Sequence, residues 1–177
     1  MNLPNKLSII RVCCIPLIVL LLYVSQSWAR WAALAVFLFA SFTDYLDGHI
    51  ARKQHIITDF GKFIDPVADK LLVLSTMIML IHLQLIPAWT VILILARELA
   101  VDGLRLIAVT NGKVIAAGPA GKLKTVSQMF FIAFILVLNT PAVSHWFSLL
   151  VMIWVMVITV YSGVDYFLKN RALITEK

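Results

Sequence analysis

Apolar residues come along this chain in long blocks, interrupted by short clusters of charged residues, glycine and proline. The blocks lie near residues 6–25, 31–51, 63–84, 87–109, 122–140 and 145–168. Each approaches the roughly 17 to 25 residues that a helix needs to cross the hydrocarbon of a bilayer. Because a backbone in lipid must satisfy its own hydrogen bonds, the blocks predict six transmembrane helices joined by short connections. The first block opens with Lys6 and Arg11 in the manner of a signal peptide. It lacks a clear small-x-small cleavage site, since Ser27-Trp28-Ala29 is a poor one, and is therefore expected to be a retained helix. No internal repeat, low-complexity tract or long linker divides the chain. Residues 1–177 are expected to form a single membrane-embedded domain.

Composition agrees with this pattern. The chain is 62% hydrophobic and only 14% charged, too apolar for a soluble domain of this length. An all-α integral membrane protein is expected. Lys6, Arg11, Arg52, Lys53, Lys62, Lys113, Lys122, Lys124, Lys169, Arg171 and Lys177 fall on one side of the predicted bundle, against Arg30 alone on the other. Short basic connections stay cytoplasmic, so both termini are expected inside, an N-in, C-in topology. This distribution also accounts for the net charge of +6 without a nucleic-acid partner. Cys13 and Cys14 are neighbours in the first block, where an unstrained disulfide is disfavoured and a small apolar thiol packs well.

Against this background two pairs of aspartates stand out, Asp44/Asp47 and Asp65/Asp69, four of the nine acidic residues within a 26-residue stretch. A carboxylate at membrane depth costs at least a few kcal/mol by insertion scales, and marks a bound ion, proton or partner charge. Trp31 to Thr43 is thirteen residues, covering only about 20 Å of a core about 30 Å thick. The second helix must therefore continue through Asp44 and Asp47, roughly 5 to 10 Å below the cytoplasmic surface. Asp65 and Asp69 open the third helix at the same depth. Residues at i, i+3 and i+4 share a helix face, so Asp44, Asp47, Gly48 and Ala51 make one stripe, and Gly61, Asp65 and Asp69 another. Two antiparallel helices joined near residues 53–62 would bring the stripes together as a carboxylate cluster. Hard oxygen ligands of this kind suit Mg²⁺ or Mn²⁺, and two such ions can clamp a phosphoryl centre. Gly48 and Ala51 would let a bulky ligand approach the helix backbone, although small residues at this spacing also serve tight helix packing. Arg52 suits a diphosphate through charge-assisted hydrogen bonds, or simply sets topology at a helix end.

In pattern form the stretch reads D-x2-D-G-x2-A-R-x8-G-x3-D-x3-D. It resembles the signature of the CDP-alcohol phosphatidyltransferases, integral-membrane enzymes that replace the CMP of a CDP-activated lipid or alcohol with another alcohol. The resemblance implies that Gly48, Ala51, Arg52 and Gly61 meet the CDP-activated lipid, that Asp44, Asp47, Asp65 and Asp69 bind metal, and that the enzyme is a homodimer.

The second half carries Arg97, Glu98, Asp102 and Arg105 in the fourth block, then Gly121-Lys122-Leu123-Lys124-Thr125 at the start of the fifth. Arg105 can bind a phosphate through its fork, whereas ion pairing among the four residues of the fourth block is the competing reading. Glycine and lysines at a helix start, with Thr125 and Gln128 on the face of Gly121, make an anion site. A basic anchor that snorkels to the interface is the alternative. The segments Arg97-Glu-Leu, Gly103-Leu-Arg105 and Gly121-Lys-Leu-Lys-Thr, with Asn2-Leu-Pro-Asn5 and Arg11, resemble one branch of the family. That likeness implies sn-glycerol 3-phosphate as acceptor, its phosphate held by Arg105 and Lys122, with Arg97 or Lys124 contributing.

The expected reaction joins CDP-diacylglycerol to glycerol 3-phosphate in a single displacement, Asp69 accepting the hydroxyl proton. Alternatives are a family member using phosphatidylglycerol, inositol phosphate or serine, an intramembrane prenyltransferase with paired D-rich motifs, and a cation-coupled transporter. The residues ahead of the first block show no Arg-rich, Ser-rich transit pattern. The expected location is a bacterial plasma membrane, active site facing the cytoplasm, with a mitochondrial inner membrane as the other setting.

Overall fold

The computed structural model describes residues 3–24, 26–54, 59–113, 115, 118–138 and 145–171. Within these, only the backbone is described at 3–6, 44–54, 59–63, 138 and 145. The elements are six α-helices, α1 (Leu3–Tyr23), α2 (Ser27–Gln54), α3 (Asp59–His82), α4 (Ala88–Thr110), α5 (Pro119–Leu138) and α6 (His145–Lys169). Each falls on a predicted block, and there is no strand among the described residues. The blocks understated several helices because capping and interfacial residues at their ends are polar. As expected from length, α2 does not stop at Thr43 but continues as helix through residue 54.

By length and composition, Pro119–Val137 and Trp146–Lys169 are apolar enough to cross a membrane, while Leu7–Tyr23 and Ser27–Thr43 are shorter apolar stretches. Charges interrupt the others, at Asp65, Asp69 and Lys70 in α3 and at Arg97, Glu98, Asp102 and Arg105 in α4. Large apolar side chains such as Leu20, Phe42, Ile92, Leu106, Val126 and Leu150 are well exposed. Exposed apolar side chains in this number suit lipid rather than water.

The chain divides into two compact units, residues Met1–Leu85 with Ile132–Leu138, and Ile86–Phe131 with Asn139–Lys177. In the first, α1 packs on α2 and α3. Ala29, Ala33, Phe37 and Ala40 form a fully buried stripe of α2, three alanines that admit a neighbouring backbone around one large aromatic ring. Ala68, Leu72, Met77 and Leu80 are the corresponding buried positions of α3. In the second unit, α4 packs on α6 and buries Thr90, Val91, Ile94, Glu98, Val101, Leu104 and Ala108, a 3.6-residue period.

Two devices let polar groups sit in these apolar interiors. Buried hydroxyls turn back on their own helix, Thr43 donating to Ala40 O at 2.7 Å, Thr76 to Leu72 O at 2.8 Å and Thr159 to Val155 O at 2.8 Å. That satisfies the group without a partner from elsewhere. Helix ends are closed by left-handed residues: Gly112 (φ 69°) follows α4, with Lys113 N–H donating to Ala108 O at 2.8 Å. Gln84 (φ 58°) does the same after α3, with Leu85 N–H donating to Leu80 O at 2.9 Å. Both have the six-to-one hydrogen bond of a Schellman cap, glycine adopting the conformation without strain and glutamine at some cost.

Candidate active site

The aspartate half belongs to the first unit. Asp65 and Asp69 lie one helical turn apart on α3, both half-buried, with the fully buried Ala68 between them. Pro66 follows Asp65 inside the helix and removes one intrahelical hydrogen bond beside the carboxylate pair. Ser8 of α1 is fully buried and its hydroxyl donates to Asp65 Oδ1. A neutral donor of this kind orients a carboxylate and leaves its charge intact, as the supporting partners of metal ligands do. Two half-buried carboxylates, one braced by a hydroxyl, fit a hard divalent cation such as Mg²⁺ or Mn²⁺. Of the four aspartates, only Asp65 and Asp69 have described side chains, and two ligands alone do not make a group of three.

For Asp44, Asp47, Gly48, Ala51 and Arg52 the structure establishes the backbone, a continuous helix with the spacing the stripe requires. Gly61 likewise lies within α3. The side chains of residues 44–63 lie outside the described residues, as does Asn2 altogether.

The cationic half belongs to the second unit, and there the structure sorts residues that the sequence left together. Glu98 is buried, and one of its oxygens, Oε1, accepts from Arg97 Nη1 at 3.3 Å and from Lys124 Nζ. Lys124 is itself buried. One acid thus holds two cations from two helices, which realises the ion-pairing alternative for Arg97. It also recruits Lys124, 26 residues away. Arg97 runs beside two glycines: a Cβ at Gly163 would stand 3.2 Å from its Cγ, and one at Gly121 would stand 3.9 Å from Nη2. Gly163 therefore makes room for the arginine stem, whereas Gly121 merely adjoins its head. Arg97 also walls an apolar groove of about 450 Å³ formed with Leu93, Ala96, Ala100, Val160 and Val164.

Arg105 takes a different partner. Its Nε donates to the Tyr166 hydroxyl at 3.1 Å, and its guanidinium carbon lies 5.5 Å from the centre of the Tyr166 ring. Lys122 is exposed at the start of α5, and Thr125 donates to Gly121 O at 3.2 Å. Arg105 and Lys122 thus remain the cations of this half best suited to an anion, because among the described residues no carboxylate is paired with either.

Sequence reasoning missed Ser8, Gly163 and Tyr166. Ser8 precedes Arg11 by one turn on a helix whose charges signal topology alone. Gly163 and Tyr166 share a stripe at the basic end of the last block, where a glycine and a phenol beside apolar residues were the available signal.

The comparisons with known proteins cover almost the whole chain. Residues 1–161 match the family model described as CDP-alcohol phosphatidyltransferase. A CDP-diacylglycerol–glycerol-3-phosphate 3-phosphatidyltransferase of Bacillus subtilis is 42% identical over 184 residues, spanning 96% of this chain and 95% of its own. The protein of the same name from Rickettsia typhi is 38% identical, over 94% of this chain and 95% of its own. A probable phosphatidylglycerophosphate synthase of Mycobacterium tuberculosis is 42% identical over 93% of this chain and 79% of its own. With the aspartate pattern complete from Asp44 to Asp69 and the match running the length of both units, the chain belongs to the CDP-alcohol phosphatidyltransferase family.

Proposed function

We propose that this protein transfers the phosphatidyl group of CDP-diacylglycerol to sn-glycerol 3-phosphate, giving phosphatidylglycerophosphate and CMP. The observation that carries this reading is the end-to-end likeness to relatives named for that reaction, at 42% identity over 96% of the chain. Beside it stands a second half whose Arg105 keeps a guanidinium for an anionic acceptor.

In the proposed reaction the acceptor's hydroxyl oxygen attacks the lipid-side phosphorus in line. A new O–P bond forms, the bond from that phosphorus to the CMP oxygen breaks, and the hydroxyl proton passes to the Asp69 carboxylate. Asp44, Asp47, Asp65 and Asp69 would hold Mg²⁺ or Mn²⁺, two ions in all, which when bound supply charge stabilisation at the phosphoryl oxygens. Gly48, Ala51, Arg52 and Gly61 would receive the CDP-activated lipid. Arg105 and Lys122 would bind the acceptor phosphate, with Arg97 and Lys124 adding field from behind their shared glutamate. Residues 1–177 would act as one catalytic domain, and two copies as a homodimer.

The proposed setting is the bacterial plasma membrane, spanned six times, with both termini and the aspartates on the cytoplasmic side. One feature favours this orientation and a second agrees with a membrane interface at the opposite helix ends. The basic residues cluster at the ends of α1, α3 and α5 that begin these helices and at the ends of α2, α4 and α6 that close them. Exposed Trp28, Trp31, Trp89 and Trp146 stand at the opposite ends, within the first residues of α2, α4 and α6. Tryptophan favours the membrane interface, and lysine and arginine favour the cytoplasmic one. Acyl tails would then stay in the bilayer while the diphosphate reaches the aspartates.

The test offers the purified protein CDP-diacylglycerol and Mg²⁺ with glycerol 3-phosphate, inositol phosphate, serine or phosphatidylglycerol in separate reactions. CMP release is expected with glycerol 3-phosphate; release only with another acceptor would overturn the assignment. Asp69→Asn is expected to lower turnover by about three orders of magnitude, as loss of a general base does. Near-full turnover in that variant would remove Asp69 from its role.

A further inference from the structure

Tyr166 is buried on α6 among Val101, Leu104 and Ala108 of α4, with Phe167 and Ile115 packed against the cluster. Its backbone is pinned as well, since its carbonyl accepts a hydrogen bond from Asn170 Nδ2 at 2.7 Å where α6 ends. Against this fixed ring Arg105 makes two contacts of different kind. Nε donates in the direction of the phenol oxygen at 3.1 Å, and the guanidinium carbon sits 5.5 Å from the ring centre. One N–H direction and one distance to a ring restrict a planar group far more than either alone.

The chemistry of the partner matters as much as the geometry. A phenol is neutral, so it aims the guanidinium without cancelling any of its charge, whereas Glu98 offsets one of the two positive charges it holds. The phenol takes the Nε edge, which assigns the Nη1 and Nη2 end of the guanidinium to a bidentate anion such as a phosphate. We propose that Tyr166 is a positioning residue for acceptor recognition: it presents Arg105 to the phosphate of the acceptor alcohol without touching that phosphate itself. This rests on the reading above in which Arg105 binds the acceptor phosphate.

The experiment is steady-state kinetics on the full-length protein, following CMP release with glycerol 3-phosphate and CDP-diacylglycerol varied in turn. Tyr166→Phe keeps the ring and removes only the hydroxyl. It is expected to raise KM for glycerol 3-phosphate about tenfold, the scale of one charge-assisted hydrogen bond. kcat and the KM for CDP-diacylglycerol should stay within about twofold, the pattern of lost binding rather than lost chemistry. In an Arg105→Gln background the same substitution is expected to change the acceptor KM no further, because the two residues act as one unit. An unchanged acceptor KM in Tyr166→Phe, an equal rise in the donor KM, or an undiminished effect in the Arg105→Gln background would each overturn the proposal. Failure of the underlying assignment shows elsewhere: unsubstituted protein that releases CMP only with an unphosphorylated alcohol removes the acceptor reading, and the role of Tyr166 with it.

Discussion

Asp65, half-buried, and Glu98, buried, are both acids of an apolar helical protein, and the structure gives them partners of opposite kinds. Asp65 receives a hydrogen bond from the neutral hydroxyl of Ser8. Glu98 receives a guanidinium and an ammonium on a single oxygen. A carboxylate braced by a hydroxyl keeps its charge for a ligand, and a carboxylate between two cations has already used it. Burial of an acid in such a protein therefore does not by itself mark a binding site; the charge of its neighbours decides between ligand and structural clamp.

The sharpest way to break this contrast is to remove each acid in turn. On the proposed reading Asp65→Ala removes a metal ligand, so it is expected to abolish CMP release while the thermal midpoint in detergent changes little, because the hydrogen-bond partner it leaves behind, Ser8, is neutral. Glu98→Ala is expected to do the reverse in stability. It removes the carboxylate that Arg97 and Lys124 share, at a cost of about 3 kcal/mol or more, read as a lowered thermal midpoint. Equal stability losses in the two variants would show that Asp65 too is a structural charge.

A smaller effect sharpens the aspartate side. Ser8→Ala removes the brace and keeps the proposed metal ligand Asp65, so on that reading the Mg²⁺ concentration for half-maximal activity is expected to rise about tenfold, with kcat at saturating Mg²⁺ largely recovered. An unmoved Mg²⁺ requirement would reduce Ser8 to a satisfied core hydroxyl. The smallest effect tests the cationic side. Gly163→Ala places a Cβ 3.2 Å from Arg97 Cγ, a contact that a flexible stem relieves by a small shift. The expected loss is about 1 kcal/mol of stability, accompanied by intact turnover. A gain in stability would mean that the stem had room to spare.

The two halves also differ in how far the sequence revealed them. The aspartates were legible because all eight pattern positions fall on two consecutive helices, where spacing along the chain translates directly into a shared face. The cationic half was not, since its partners come from distant segments: Glu98 meets Lys124 across 26 residues and Arg105 meets Tyr166 across 61. No periodicity in a single helix encodes which of four cations will be tied to an acid. Ion pairing within α4 is the expected competitor for both arginines, and among the described residues it is seen for Arg97, with Glu98, and not for Arg105.

Helix number, helix placement and the aspartate spacing follow from local rules. A long apolar run in lipid must close its backbone hydrogen bonds internally, and a helix once started fixes which residues share a stripe. The tertiary structure decided the rest. Glu98 is a clamp and Arg105 an aimed cation because helix packing brought Lys124 of α5 to the local Arg97–Glu98 pair and set a neutral phenol beside Arg105. Electrostatic role depends on distance to charges supplied by other helices, and that distance is a property of the fold.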